Sequence, residues 1–226
     1  MGYLFETHAH TCTGFPCGKN TGDELVRYFK GLGYTGLIIT DHILTSEAED
    51  VSNRAAWEIR VNRLCLGYEM AKAEGDRIGL TVFQGWEYGD GWNHFLIYGL
   101  DRDWLMANPD GLTLTPYQYL KQVRADGGFV VQAHPFREGV TSYLVVPEQT
   151  DGYEVVSASR SDEANRHAEE FCRSWGKIRH AGTDIHWLNY PRLAGVEGDR
   201  PFSSIHDYIA GLKEGAYTLF DRVMRS

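Results

Sequence analysis

The sequence predicts one α/β domain whose mostly parallel sheet curls into a barrel. Short apolar runs alternate with helical segments in about seven strand–helix units, the pattern of a parallel sheet covered by helices. Residues able to bind metal recur at the C-terminal ends of separate runs, where α/β barrels build their sites. No G-x-G-x-x-G follows the first strand, so a dinucleotide-binding sheet has no support. A chain of 226 residues, 42% of them hydrophobic, fits one domain over 1–226 with a sizeable core.

The elements follow in order. Tyr3–His8 reads as a strand. Asp23–Gly33 reads as a helix, capped by Thr21 and stopped at Gly33. Thr35–Thr40, with its Gly-Leu-Ile-Ile run, is a buried parallel strand. Asn53–Gly75 is a long helix and Gly79–Trp86 a strand. A turn at Gly89-Asp90-Gly91 leads into a return strand, His94–Tyr98. Thr115-Pro116 opens a helix that runs to Ala125, and Gly127-Gly128 closes it. Phe129–Ala133 is the next strand, Gly139–Gln149 an irregular connection, and Tyr153–Ser157 a further strand. Asp162–Trp175 is a helix, Lys177–Ala181 a strand and Ser203–Glu214 the last helix.

Composition excludes several classes of function. No apolar stretch approaches the roughly 20 residues a membrane helix needs, and the first residues lack the basic-then-apolar pattern of a signal peptide. A cytoplasmic location without membrane association is expected. The formal charge of −9, with no basic run, argues against a nucleic-acid partner. Cys12, Cys17, Cys65 and Cys172 form no C-x-x-C pair, so neither a structural zinc knuckle nor a disulfide framework is expected. Cys65 and Cys172 fall in helical stretches and read as small buried hydrophobes.

Eight candidate ligands carry the chemistry. His8 and His10 end the first strand, and Asp41-His42 ends the second. Glu87 ends the third and His94 opens its return. His134 ends the Phe129–Ala133 strand, and Asp184 and His186 follow the Lys177–Ala181 strand. Residues two apart in an extended backbone project to one face, so His8-x-His10 and Asp184-x-His186 each present two side chains to one region. Imidazole and carboxylate donors suit zinc, manganese or iron. Glu87 is placed to bridge two ions. A lone strand-end histidine is more often a packing residue, but eight such residues in concert are not. His167, His180 and His206 fall outside the pattern and read as surface or packing histidines.

These segments, His8-Ala9-His10-Thr11, Thr40-Asp41-His42, Glu87, His94, Ala133-His134-Pro135 and Gly182-Thr183-Asp184-Ile185-His186, resemble the motifs of the polymerase and histidinol phosphatase (PHP) family. The resemblance covers nearly the whole chain. It implies a single PHP-like domain folded as a distorted (β/α)7 barrel, with a di- or trinuclear metal centre and phosphoesterase activity. By the same resemblance one metal is held by His8, His10, Glu87 and Asp184. A second shares Glu87 and adds His94 and His134, and a third takes His42 and His186. Many relatives add a His or Asp from the loop after His-x-His. Here that loop reads Cys12-Thr13-Gly14-Phe15-Pro16-Cys17-Gly18-Lys19, and Cys17 is the nearest substitute.

The expected reaction is hydrolysis of a small phosphomonoester, similar to histidinol phosphate or a nucleotide, by a metal-activated water. Asp41 is expected to orient a ligand or relay a proton, with a helix cap as its bland alternative. Arg137 is expected to hold the phosphate bidentately, followed by Lys19 and then Arg160. Glu154 resembles a recurrent acidic position that supports the ligands. Trp86, Tyr88, Trp92 and Trp187 flank ligands and either line the substrate pocket or simply pack the loops. Competing readings are a nuclease or exonuclease of the PHP type, a non-catalytic metal-binding regulatory module, and an amidohydrolase. The intact ligand set disfavours the module, and no lysine suggests the carbamylated bridge of the last.

Overall fold

The computed structural model describes residues 2–14, 16–46, 53–140 and 143–224. Phe15 of the loop after His10 and residues 141 and 142 of the irregular connection lie outside them. The described residues form ten strands and six α-helices: β1 (Tyr3–Ala9), α1 (Gly22–Gly31), β2 (Gly36–Ile39), β3 (His42–Leu44), α2 (Arg54–Ile78), β4 (Thr81–Asp90), β5 (Asn93–Tyr98), α3 (Arg102–Ala107), α4 (Pro116–Ala125), β6 (Phe129–Ala133), β7 (Gly152–Ser157), α5 (Asp162–Ser174), β8 (Ile178–Gly182), β9 (Arg192–Gly198), α6 (Ile205–Glu214) and β10 (Tyr217–Val223).

The helix starts obey local chemistry. Thr21 and Glu24 form a capping box at α1, Asn53 accepts from the amides of Ala55 and Ala56 at α2, and Thr115 and Gln118 cap α4. The second helix runs past the expected stop at Gly75, ending only where Gly79 turns left-handed at φ 75°. Gly75 is internal because the helix lies so close to the next strand that a Cβ there would sit 2.6 Å from the Leu80 carbonyl oxygen.

The sheet order is β10-β9-β1-β2-β4-β5-β6-β7-β8, with β3 paired to β4. The β1–β2, β2–β4, β3–β4, β6–β7 and β7–β8 pairs are parallel, whereas the β4–β5, β5–β6, β1–β9 and β9–β10 pairs are antiparallel. Beyond β8, Ile185 bridges back to Ala9. Its amide donates to the His8 carbonyl at 3.1 Å, and its own carbonyl accepts from His10 at 3.0 Å, so the curled sheet nearly closes. The sheet therefore differs from seven regular units: β3, β9, β10 and α3 are additional, and the middle of the sheet is antiparallel. β4 also continues to Asp90, which puts Glu87 inside a strand rather than at its end.

Alternation along the strands builds the site. On β4, Val82, Trp86 and Tyr88 point outward to the helices, while Phe83 and Glu87 point inward. On β5, Phe95 and Ile97 point outward, while Leu96 and Tyr98 point inward beneath His94. Phe5, Ile38, Phe83, Leu96 and Val131 form an apolar floor plugged by Tyr208, Ile209 and Leu212 of α6. The polar cluster rests on this floor.

His180 lies at that level, fully buried, with its Nε2 2.8 Å from Tyr208 Oη. Burial, reinforced by the charge of His8, pushes it down to about 3. An imidazole depressed in the fold stabilises it fully above its unfolded pKa, near 6.5, and loses that contribution as pH falls towards 3. His180→Gln keeps an acceptor for Tyr208 but does not titrate. The fall in melting temperature between pH 6.5 and 4 should be shallower in the variant, by on the order of a few kcal/mol of stability at the acid end. Parallel wild-type and variant curves would contradict this.

Candidate metal centre

Glu87 is the hub. Its fully buried carboxylate meets five imidazoles: His8 Nε2 at 3.4 Å, His10 Nε2 at 3.3 Å, His42 Nδ1 at 2.9 Å, His94 Nδ1 at 3.0 Å and His134 Nε2 at 3.3 Å. Asp184 forms a second focus, 3.5 Å from His8 Nε2, 3.3 Å from His10 Nε2 and 3.5 Å from His186 Nδ1. His134 and Asp184 have positive φ values of 29° and 57°. For residues other than glycine this is local strain, which concentrates where a side chain must be aimed.

The electrostatics are those of a tightly coupled cluster. Burial pushes Glu87 upward, but His94, His42 and His8 outweigh it and hold the carboxyl well below the usual range. Asp184 is likewise held low against burial, chiefly by His8. His8 is raised, because Glu154, Glu87 and Asp184 overcome its desolvation. Burial, then the neighbouring His42, lowers His10.

The donor set is one that could hold divalent ions. His8 Nε2, His10 Nε2 and Glu87 Oε2 are buried without a hydrogen-bond partner although each faces other polar atoms. Leaving such atoms unsatisfied costs about 1–3 kcal/mol each, and a shared cation removes that cost. Among the described residues four donor groups, each within 4.8 Å internally, could hold an ion: His8, His10 and Asp184; His8, Glu87 and His134; His42, Glu87 and His94; and His10, Cys17, His42 and His186. All eight expected ligands fall in these groups. Their division differs from the expected one, since His94 and His134 share Glu87 but stand in different groups.

Supporting residues surround the cluster. Glu154, on β7, accepts from His8 Nδ1 at 2.9 Å and from the His134 amide at 2.9 Å, fixing both rings' placement. Asp41 is 1% exposed, and its oxygens are taken by the amide and hydroxyl of Thr11, each at 2.6 Å. It clamps the turn after His10 and does not line the cavity, so its contacts favour an orienting role over proton relay. Gly67 of α2 permits this, because a Cβ there would collide with Thr11 Oγ1 and Asp41 Oδ2.

A cavity of about 280 Å³ opens above the cluster, lined by His42, His94, His134, Asp184 and His186 together with Trp92, Arg137 and Arg160. The Arg137 guanidinium lies 5.2 Å from the centroid of Trp92. Arg160 donates to Asp184 Oδ2 at 3.0 Å, beside Ser159 Oγ at 2.8 Å. Lys19 does not reach this space; its side chain is exposed and its backbone amide bonds the His186 carbonyl. Of the two readings for Trp86 and Tyr88, the structure shows packing: neither lines the cavity. As neighbours of an inward-facing Glu87 they must face outward, where they pack on Trp104 and Tyr119. Trp187 is half exposed against Tyr190 and lines no part of the cavity.

Two supporting residues escape sequence reasoning. Ser159 has no motif to mark it. Glu6 accepts from the amides of Thr7, His8 and Thr183 and from the Thr183 hydroxyl, pinning β1 to the segment carrying Asp184. Its signal is a carboxylate embedded in a buried strand, two residues before His8.

Solved structures carry the same architecture. A Bacteroides vulgatus two-domain protein containing a predicted PHP-like metal-dependent phosphoesterase is 14% identical, with a TM-score of 0.67 over 97% of this chain and 65% of that one. The chain has a PHP-type barrel fold. A candidate metal-dependent phosphoesterase from Bifidobacterium adolescentis is 18% identical, with a TM-score of 0.58 over 84% of this chain and 90% of that one. The PHP-type barrel also resembles an amidohydrolase from Chromobacterium violaceum, solved with sulfate and no metal, at 17% identity and a TM-score of 0.58 over 82% and 88% of the two chains. No protein-family model and no curated protein matches the sequence. At these identities the likeness establishes the fold, and the chemistry must be argued from the residues. No helix among the described residues is long and apolar enough to cross a membrane.

Proposed function

We propose that this chain is a metal-dependent phosphoesterase acting on a small phosphomonoester. The observation that carries the reading is the convergence of five imidazoles on one buried carboxylate, Glu87, beneath a small cavity bordered by two arginines. His8, His10 and Asp184 would hold one divalent ion, and Glu87 would serve its neighbours with His8 and His134 on one side and His42 and His94 on the other. Zinc, manganese and iron suit these donors. Such ions, when bound, supply Lewis acidity that polarises a phosphoryl group and acidifies water.

The chain's own residues supply binding and orientation. Glu154 fixes the tautomer of His8 by accepting from Nδ1, which turns Nε2 towards Glu87. Arg160 and Ser159 hold one oxygen of Asp184, leaving the other facing His8 and His10. Arg137, stacked on Trp92 at the rim, offers a planar cation suited to a phosphate. The cavity of about 280 Å³ admits a small molecule and not a duplex. The arginine pair favours an anionic phosphoester over the amide bond suggested by the Chromobacterium neighbour.

The test is a panel of phosphomonoesters, phosphodiesters and amides, assayed with Mn²⁺ or Zn²⁺ and again with excess chelator. Chelator-sensitive hydrolysis of small phosphomonoesters is expected. A metal-loaded protein that cleaves only amides, or nothing, would sink the reading. Within that panel Arg137→Ala should lower kcat/KM for the best phosphomonoester about 10–100-fold, mainly through KM, as expected for losing a charged hydrogen bond of about 1.5–3 kcal/mol. An unchanged KM would remove Arg137 from the substrate site.

A further inference from the structure

We infer that Trp92 selects the leaving group. It stacks a single planar ring, joined to the phosphate oxygen directly or through one carbon, so that aryl and arylmethyl phosphomonoesters are preferred to aliphatic ones. The inference rests on the phosphomonoester reading above and narrows its substrate class.

The cavity is divided by chemistry. Its apolar lining is confined to one wall, formed by Leu44 of β3 and the Gly91-Trp92 loop between β4 and β5. Its two cations, Arg137 and Arg160, stand in the loops after β6 and β7. Gly89 makes room for the apolar wall, because a Cβ there would lie 2.5 Å from Leu44 Cδ2. Metal ligands and a phosphate have no use for such a wall, but an apolar group carried by the phosphate does.

Trp92 is not explained by the turn that contains it. Asp90 pairs with Asn93, so Gly91-Trp92 is a two-residue hairpin loop with Gly91 at φ 61°. A Gly-X turn of this kind leaves its second place open to almost any residue, and an exposed place is ordinarily polar. Arg137 covers one face of the indole, 5.2 Å from its centroid, yet Trp92 stays 64% exposed. Packing in the core therefore does not account for the residue.

Its position is nevertheless fixed. Asn93 Oδ1 accepts from the Leu144 amide at 2.8 Å, and Tyr143 Oη donates to the Arg137 carbonyl at 3.2 Å. Gln132 Nε2 anchors the same segment by donating to the Leu144 carbonyl at 2.6 Å. Tyr143 and Leu144 thus hold the hairpin and the Arg137 loop against each other. On the other side Thr45 Oγ1 donates to Asp90 Oδ1 at 3.1 Å. A phosphate on the edge of the Arg137 guanidinium lies beside the indole, so only a short link separates its ester oxygen from a stacking group. A cavity of about 280 Å³ leaves room there for one ring. The flat indole favours another flat ring, offset-stacked, over a saturated group of the same size.

The test uses the full chain loaded with Mn²⁺ or Zn²⁺. Calorimetry compares benzylphosphonate with cyclohexylmethylphosphonate, two non-hydrolysable probes of similar size. The cyclohexyl ring is at least as apolar, so simple burial would favour it. Wild type should bind the benzyl probe about tenfold more tightly. KM for benzyl phosphate should fall below that for cyclohexylmethyl phosphate by the same factor. Trp92→Leu should bring both ratios to about one, and Trp92→Phe should keep most of the preference. Both probes carry the same phosphonate, so any loss of support for Arg137 cancels in the ratio. A wild-type ratio near one, or a preference that survives Trp92→Leu, overturns this inference alone. A loaded chain that binds neither probe and hydrolyses no phosphomonoester overturns the phosphoesterase reading with it.

Discussion

Glu87→Gln is expected to abolish metal-dependent hydrolysis, lowering kcat/KM about 10³-fold or more, while leaving the chain folded. The substitution keeps the side chain's size but removes the one charge that all five imidazoles face. A carboxylate shared between ions contributes several kcal/mol to holding and spacing them, and each 1.36 kcal/mol is tenfold in rate. The loss should not be recovered by raising metal concentration, because no other described acidic group faces so many of the histidines. Kinetics over a wide range of Mn²⁺ and Zn²⁺ check this, with circular dichroism as the control for folding. Activity within tenfold of wild type would mean that Glu87 does not bridge.

Glu154→Ala is expected to act differently, through the ligands it aims. Its two oxygens bind His8 Nδ1 and the His134 amide. Removal frees the His8 ring to change tautomer and leaves a buried amide unsatisfied at a residue already strained at φ 29°. Losing a support of this kind costs about 10–100-fold in metal affinity. The half-saturating metal concentration should rise by that factor, and activity should return at high metal. A lowered melting temperature with unchanged metal dependence would mark Glu154 as merely structural.

Much of the site was legible because its chemistry is local in sequence. His8-x-His10 places two donors on one face through strand alternation, whereas Asp184 and His186 lie beyond β8 and come together through the left-handed backbone at Asp184, φ 57°, which an extended reading does not foresee. The hub at Glu87 could be named as a bridge, but its depth could not, since β4 outruns the expected end by four residues. The same alternation that turns Glu87 inward sends Trp86 and Tyr88 to the helices, a consequence available once the strand's length is known. β9 (Arg192–Gly198) was illegible for a different reason. Its apolar stretch, Leu193 to Val196, is only four residues long, contains Gly195 and is flanked by Arg192 and Glu197, and its order comes from antiparallel pairing with β1, at the other end of the chain, and with β10. Long-range pairing also hid the tie between Arg160 and Asp184. Glu6, within β1, and Asp41, between β2 and β3, show the commonest ambiguity: a buried carboxylate signals a partner, but only the fold reveals that the partners are Thr183 and Thr11.

The central claim is that the donors gathered around Glu87 and Asp184 form a polynuclear metal centre. Metal analysis of the full chain, equilibrated with Zn²⁺ or Mn²⁺ and freed of loosely held ions, tests it most directly. Two or more tightly held ions per wild-type chain, falling in Glu87→Gln, is the result this account predicts. One ion or fewer per wild-type chain, unchanged by that substitution, would contradict it.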